Sequence, residues 1–217
     1  DAVFLSGDIT DLQSLLNVNN LVEDGKISEP GLRSFSRLFE TLGLPAAQLR
    51  GLVDKLRFAD TGPDDASAVA APLLPQRADQ LVWLGLPAPT VAALQPYVTV
   101  LPGRTRVNLN TASAEVIASA VNGLSLADAQ RLVSARTSTP FGSIADASRL
   151  VPGHEAAFSE GGVDVVSRYF EVRGLLRLDE MVLEERSLLR RDGLDVKTLR
   201  RERGVLGVKA PSAADKR

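Results

Sequence analysis

The spacing of apolar residues changes twice along this 217-residue chain, and that change restricts the folds open to it. Residues 1–22 are short, strand-like and rich in turn formers. Residues from about 28 to 158 repeat their apolar side chains with the period of a helix, and residues from about 165 to 200 return to the alternation of a strand. We therefore predict an α+β chain whose helices lie between two strand-forming ends.

The helical region carries start and stop signals. Ser28 precedes Glu29 and Pro30, which is typical of a helix N-terminus, and Gly43 follows the apolar stripe of the predicted helix. The stripe consists of Leu32, Phe35, Leu38, Phe39 and Leu42. Ser125 and Ser143 each stand three residues before an Asp, a capping-box-like pattern that predicts two further helix starts.

The C-terminal region predicts a meander of strands. Residues 170–178 alternate in polarity, and Asp192-Gly193 between two apolar runs predicts a hairpin turn. The interspersed Arg and Glu residues of 171–203 are typical of cross-strand ion pairs on a solvated sheet face. We expect residues 1–22 to pair with residues 168–200, which would make one antiparallel sheet discontinuous in sequence.

Composition narrows the classes of function. The chain has no Cys, one His and a formal net charge of −2, which excludes thiolate zinc sites, cysteine catalysis and multi-histidine metal sites. His154 follows Pro-Gly without a nucleophile motif around it, so we predict a surface histidine at a helix start and no enzymatic activity. No apolar run reaches the ~18 residues that a membrane-spanning helix needs.

An acidic loop follows the second predicted helix. Asp60, Asp64 and Asp65 lie close together there, with Gly62 and Pro63 between them. Hard cations are bound by oxygens that such turns bring together, so calcium at the three carboxylates is the metal hypothesis. Their spacing is not that of an EF-hand, and by itself the sequence favours a hydrated acidic loop.

Residues 107–138 raise an alternative function. Val107–Ser113 precede a predicted helix, Gly123-Leu124-Ser125 form a turn and a second helix follows, similar to the helix-hairpin-helix units that hold DNA phosphates. Five Arg against three acidic residues between Arg104 and Arg149 leave a balance of only +2, and Asp128 beside the hairpin would repel a phosphate. A secreted DNA-binding protein of the competence type is the alternative, whereas the leading prediction involves no nucleic acid.

Four short segments carry motifs that point to one family. They are Ile9–Leu21, which contains Asn17-Val18-Asn19-Asn20, then Gln80–Gly85, Tyr97–Pro102 and Val107–Ala112. They resemble, in the same order and at similar spacing, motifs of the type II secretion minor pseudopilin K (general secretion pathway protein K) family. In the family's acidic motif only Asp60 keeps its place, so the resemblance assigns no further metal ligand.

The resemblance implies a pilin-like antiparallel sheet with a large inserted helical domain made of two SAM-like units. Residues 1–22 and 160–205 would then form the pilin-like core, residues 23–159 the insertion and residues 206–217 a flexible tail. The predicted fold class, α+β with a discontinuous sheet, agrees with the periodicity described above.

The resemblance also implies a role and a location. Family members are structural proteins at the tip of the type II secretion pseudopilus, in complex with the minor pseudopilins I and J, where they help to start a fibre that exports folded proteins. We therefore expect the periplasmic domain of a bacterial protein held in the inner membrane by an N-terminal helix missing from this sequence. The partner-binding face should lie on the pilin-like core and on that N-terminal helix, apolar at its centre and with alternating charge at its rim.

Overall fold

The computed structural model describes residues 3–60, 73–178 and 181–208. The chain divides into two compact units. A sheet unit comprises residues 1–12 and 167–217, and a helical unit comprises residues 13–166. The helical unit is thus inserted in the sequence between the first strand and the C-terminal strands.

The described chain begins with a nine-residue strand, continues through helices and two-residue strands, and ends in three long strands. The strands are β1 (Val3–Asp11), β2 (Leu16–Asn17), β3 (Val22–Glu23), β4 (Lys26–Ile27), β5 (Val98–Thr99), β6 (Val107–Asn108), β7 (Val163–Asp164), β8 (Tyr169–Leu178), β9 (Met181–Asp192) and β10 (Asp195–Val208). The α-helices are α1 (Glu29–Thr41), α2 (Ala46–Asp60), α3 (Ala88–Leu94), α4 (Ala114–Ala120), α5 (Leu126–Ser138), α6 (Ile144–Ser148) and α7 (Glu155–Ser159). Three 3₁₀ helices span Leu12–Ser14, Val18–Leu21 and Ala78–Leu84.

The sheet unit contains one antiparallel sheet with the strand order β1-β8-β9-β10. β1 pairs with β8 from Val3 opposite Leu178 to Asp11 opposite Phe170. The predicted hairpin joins β9 to β10, and Gly193 adopts the positive φ of 64° that its turn requires. Because β1 and β8 are separated by the whole helical unit, the predicted discontinuous sheet and the α+β class are confirmed.

The helical unit has a continuous apolar core. Ser28 caps α1 as predicted, since its hydroxyl accepts a hydrogen bond from the backbone N–H of Gly31. α1 packs against α4, and α4 packs against α5. The largest fully buried side chains of this unit include Phe35, Phe39, Phe158, Leu21 and Ile117. Each such side chain stabilises the fold by ~1.5–3 kcal/mol relative to its exposed state.

The helical unit consists of two halves that close in the same way. In the first half, β2 at its start pairs in parallel with β5 at its end. In the second half, β6 at the start pairs in parallel with β7 at the end. An Asn stands in the second position of both opening strands, Asn17 in β2 and Asn108 in β6. The sequence repeat of the two Asn-rich segments therefore corresponds to a structural repeat.

The unit borders differ from the expected ones. The expected borders lie between residues 22 and 23 and between residues 159 and 160. The structure divides the chain between residues 12 and 13 and between residues 166 and 167. The reason is that β2 and β7, which lie within the expected sheet domain, pair with strands of the helical unit. The expected tail begins at residue 206, but Val208 still pairs with Met181; the rest of that prediction, residues 209–217, lies outside the described residues.

Candidate functional site

One face of the sheet carries a row of apolar side chains that crosses all four strands. The register places Leu5 opposite Leu176, Leu176 opposite Leu183, and Leu183 opposite Val205. Directly paired residues point to the same face of an antiparallel sheet, so these four form one continuous row. Leu5 and Val205 are 80% and 58% exposed, an arrangement that favours contact with another apolar surface.

A groove of about 450 Å³ runs beside this row. Two residues along the strands from Leu5 and Leu176, the cross-strand pair is Gly7 and Gly174. These residues have no side chains, so space is left beside the apolar row. The same register continues to Glu185 and Arg203, whose Nε donates to the Glu185 carboxylate at 2.6 Å. An apolar row thus adjoins a charged pair on one face.

The Arg and Glu residues of the C-terminal strands form ion pairs. Arg201 and Arg203 both contact Glu185, and the hydrogen bond from Arg203 is the main cause that lowers the pKa of the Glu185 carboxyl. On the opposite face, Arg186 contacts Glu184 at 3.0 Å and Arg173 contacts the same carboxylate. The hydrogen bond from Arg186, followed by that from Arg173, lowers the pKa of Glu184. The predicted cross-strand ion pairs are confirmed.

The hairpin between α4 and α5 has the backbone shape that suggested a phosphate site. Gly123 has a positive φ of 72°, and the Ser125 hydroxyl accepts from the Asp128 backbone N–H at 3.1 Å. The Ser125 hydroxyl in turn donates to the Asp128 carboxylate at 2.7 Å. This hydrogen bond, followed by that from Arg131, lowers the pKa of Asp128, so a carboxylate already occupies the N-terminus of α5.

The basic residues near this hairpin are held by groups of the chain itself. Arg131 pairs with Asp128, and Arg136 donates to the backbone carbonyl of Leu109. Each guanidinium thus already has an acceptor within the chain. The alternative function as a DNA-binding protein is therefore not supported. His154 directly precedes α7 at the N-cap position, as predicted for a helix start, with its Nε2 4.0 Å from the Asp128 carboxylate.

The Asn-rich segments bind backbone groups far away in the sequence. Asn20 accepts from the Thr105 N–H at 3.0 Å and donates to the Thr105 carbonyl at 2.7 Å. Asn110 does the same at Phe141, at 2.8 and 3.0 Å. A carboxamide suits this task because it offers a donor and an acceptor side by side. Sequence reasoning recognised the motif but not its role, which is to close each half of the helical unit.

The metal hypothesis is not tested by the structure. Asp60 is the last residue of α2, whereas Asp64 and Asp65 lie outside the described residues. Within the described ranges, no group of three or more His, Asp or Glu residues is placed so that it could hold a metal ion. Calcium at Asp60, Asp64 and Asp65 stays a prediction. No helix of residues 3–60, 73–178 and 181–208 is long and apolar enough to cross a membrane.

Comparison with known proteins connects the two halves to one family. Two models of that family, both described as type II secretion system (T2SS) protein K, match residues 14–103 and residues 107–165. Together they cover well over half of the chain. The chain belongs to the type II secretion protein K family. The gap between the two matched ranges, residues 104–106, separates the two halves of the helical unit. The first half contains the β2–β5 pair and the second contains the β6–β7 pair.

One curated relative and one solved structure extend the comparison. The type II secretion system protein K of Pseudomonas aeruginosa is 28% identical over 222 residues, which cover 94% of this chain and 66% of that protein. The chain thus spans slightly less than two thirds of the length of this relative. A chain in the crystal structure of the GspK-GspI-GspJ complex from the enterotoxigenic Escherichia coli type 2 secretion system matches with a TM-score of 0.71 and 21% identity. That match covers 92% of this chain and 79% of the other, and it supports the fold.

Proposed function

We propose that this chain is a minor pseudopilin at the tip of the type II secretion pseudopilus, where it assembles with the minor pseudopilins I and J. The observation that carries the proposal is the match of protein K family models to both halves of the inserted unit, residues 14–103 and 107–165. The role is structural, with no enzymatic step. The similar protein of known structure was solved in a complex named GspK-GspI-GspJ, which suggests the partners.

The size of the insertion supports a tip position. The helical unit occupies residues 13–166, most of the chain, and lies in the sequence between the first and second strands of the sheet. Slim subunits can stack along a helical fibre, whereas a subunit with so large an insertion would block the next one. A protein of this kind is therefore best placed where no further subunit follows.

The apolar row provides a surface for the partners. Leu5, Leu176, Leu183 and Val205 form a continuous apolar strip, and the Glu185–Arg203 pair lies beside it. An apolar centre next to charged groups is the usual composition of a protein–protein interface. We propose that this face contributes to binding within the tip complex.

Reconstitution of the complex tests the proposal. The chain is mixed with the soluble domains of the I and J proteins of the same bacterium, and the molar mass is measured by size-exclusion chromatography with light scattering. We expect a complex with one copy of each protein. The double variant Leu183→Glu with Val205→Glu should weaken it, whereas Val82→Glu, at an exposed apolar residue of the helical unit, should not. Failure of the wild-type proteins to form a ternary complex would reject the proposal.

We also infer a periplasmic location with attachment to the inner membrane, on the basis of family membership. Fractionation of the source bacterium tests this inference. The full-length gene product should be protected from protease in intact cells, become accessible in spheroplasts and stay with membranes after carbonate extraction. Recovery in the cytoplasmic fraction would contradict it.

A separate proposal concerns calcium at Asp60, Asp64 and Asp65, and it rests on the sequence of the loop alone. Titration of the protein with CaCl₂ in a calorimeter should show one binding event. The double variant Asp64→Asn with Asp65→Asn should abolish it, and Asp24→Asn, at an exposed turn carboxylate, should leave it unchanged. Absence of heat for the wild-type chain would reject calcium binding.

A further inference from the structure

The two edges of the four-stranded sheet are built differently. β1 forms one edge and β10 the other. β1 pairs with β8 in an unshifted register over all nine of its residues. Its sequence contains no Lys, Arg or Pro, the residues that usually prevent an edge strand from pairing with another chain. The outer side of β1 is therefore a regular template for a further strand.

β10 carries the protective features that β1 lacks. Its register shifts twice, between Thr198 and Arg200 and between Val205 and Gly207. Four basic residues also lie along it: Lys197, Arg200, Arg201 and Arg203. Bulges distort the backbone ladder and charges disfavour a neighbouring strand, so this edge is closed to strand addition. The contrast restricts strand addition to β1.

The side chains of β1 remain exposed along the described strand. Residues 4–10 are all exposed, and Leu5 and Ile9 are 80% and 74% exposed on the face that carries the apolar row. Phe4, on the other face, is 62% exposed. Large apolar side chains on both faces of one edge strand are unfavourable in water and would be covered by the side chains of an added strand. The apolar row ends at Leu5, so an added strand would extend it.

Asp8 gives the edge a charge preference. It is exposed and makes no hydrogen bond or ion pair with the described residues. Arg173 lies directly opposite Asp8 in the register, but its Nε bonds to Glu184 instead. The other charged residue of β1, Asp11, accepts a hydrogen bond from Ser167 at 2.7 Å. Both charged residues of the strand are thus acidic, and Asp8, which makes no ion pair with the described residues although Arg173 lies opposite, favours a basic residue on an added strand.

We propose that β1 accepts a strand from a partner protein, which extends the sheet by backbone hydrogen bonds along its free edge. The accepted segment places apolar side chains beside Leu5 and Ile9 and, on the opposite face, a Lys or Arg beside Asp8. This inference rests on the proposed function, because it assigns the strand to the minor pseudopilin I or J. Backbone bonds supply affinity in such strand addition, and alternate side chains supply specificity.

Hydrogen–deuterium exchange in the reconstituted complex tests strand addition directly. Amides on the outer side of β1 have no partner strand among the described residues and gain hydrogen bonds when a strand is added. Peptides covering residues 3–11 should therefore exchange at least about tenfold more slowly with the I and J domains bound. Peptides covering residues 195–208 serve as the internal control and should change little. Unchanged exchange over residues 3–11 in a complex that does form would overturn the inference and leave the proposed function standing.

Variants at the two edges provide a second readout. Asp8→Lys and Ile9→Lys should each weaken the affinity for the I and J domains by about tenfold. Asp8→Lys would repel the basic residue of the added strand, and Ile9→Lys would place an ammonium group where an apolar contact excludes water. Asp195→Lys and Val196→Lys, the same substitutions at exposed residues of β10, should change it by less than about twofold. Circular dichroism must show that each variant keeps its sheet. Equal effects at both edges would overturn the inference.

Two further outcomes also decide against it. If the wild-type chain forms no complex, the proposed function fails and the partner assigned to β1 fails with it. If residues 3–11 become protected in the isolated chain as its concentration rises, the added strand comes from a second copy, which contradicts a partner protein.

Discussion

The carboxamide of Asn17 bonds to both backbone polar groups of Leu101, which lies 84 residues further along the chain. Its oxygen accepts from the Leu101 N–H at 3.1 Å, and its nitrogen donates to the Leu101 carbonyl at 3.5 Å. The same nitrogen donates to the Gly103 carbonyl at 2.8 Å. Asn17 and Leu101 are each 1% exposed, so the two bonds between them satisfy groups that water does not reach. One side chain thus closes the first half of the helical unit.

Replacement of Asn17 should destabilise the helical unit strongly. Asn17→Ala leaves the Leu101 N–H without its acceptor, and a buried unsatisfied group of this kind costs ~1–3 kcal/mol. We expect the free energy of unfolding to fall by about 2–3 kcal/mol. Urea unfolding followed by the fluorescence of Trp83, the single tryptophan, reports on this unit. Asn122→Ala, at an exposed side chain, is the control and should cost less than about 0.5 kcal/mol.

Two helical glycines should respond to alanine with opposite signs. A Cβ at Gly31 in α1 would lie 2.0 Å from the Asn20 carbonyl oxygen, so Gly31→Ala must push α1 away from the preceding 3₁₀ helix. We expect a loss of about 2 kcal/mol or more. At Gly51 in α2, no described atom beyond its chain neighbours and the nearby backbone of α2 lies within 4 Å of the added carbon, and Gly51→Ala should stabilise by ~0.5–1 kcal/mol. Equal effects in urea unfolding would contradict the packing described for α1.

The stability of the sheet should depend on the charge of Glu184. Its pKa is lowered in the folded state by Arg186 and Arg173, so the unfolded state binds a proton more readily. The stabilisation is complete above the unfolded pKa of about 4.3 and is lost as the pH falls through the lower folded pKa. Glu184→Gln should therefore reduce stability at pH 7 and reduce the dependence on pH below about 4.3.

Circular dichroism during urea unfolding between pH 3 and pH 7 measures the effect at Glu184. Glu171→Gln on the neighbouring strand is the matched control, because Glu171 makes no ion pair with the described residues. Wild-type and Glu184→Gln curves that run parallel down to pH 3 would show that the Arg contacts do not stabilise the carboxylate.

The chain should not retain duplex DNA at low salt. Asp128 occupies the N-terminus of α5, and Arg131 and Arg136 are bonded within the chain. Gel retardation with a short duplex at about 20 mM salt, where phosphate contacts are strongest, measures this. Retention that weakens with salt and disappears in Arg131→Ala with Arg136→Ala would restore the DNA-binding alternative.

The sequence predicted the positions of helix starts and turns better than it predicted which strands pair. The cap at Ser28 and the hairpin turn at Gly193 follow from signals a few residues long, and both are confirmed. The expected sheet domain, residues 1–22, includes β2, whereas the structure pairs β2 with β5 of the helical unit. β2 has only two residues, and β5 lies about eighty residues away in the sequence. A strand of that length leaves no period to detect. The recognised family motifs marked the Asn positions without showing what the carboxamides bind.

By itself, the amino-acid sequence determined most of the segments that become helix or strand and where helices start. These depend on side-chain periodicity and on contacts within one turn of the chain, which a local pattern records. The family was indicated separately, by the resemblance of four short motifs. Only the tertiary structure decided that Asn17 reaches Leu101, that β1 lies at an edge of the sheet, and that Asp8 makes no hydrogen bond or ion pair with the described residues. Such relationships join residues tens of positions apart, and they arise only when the whole chain buries its apolar surface and pairs its backbone groups at once.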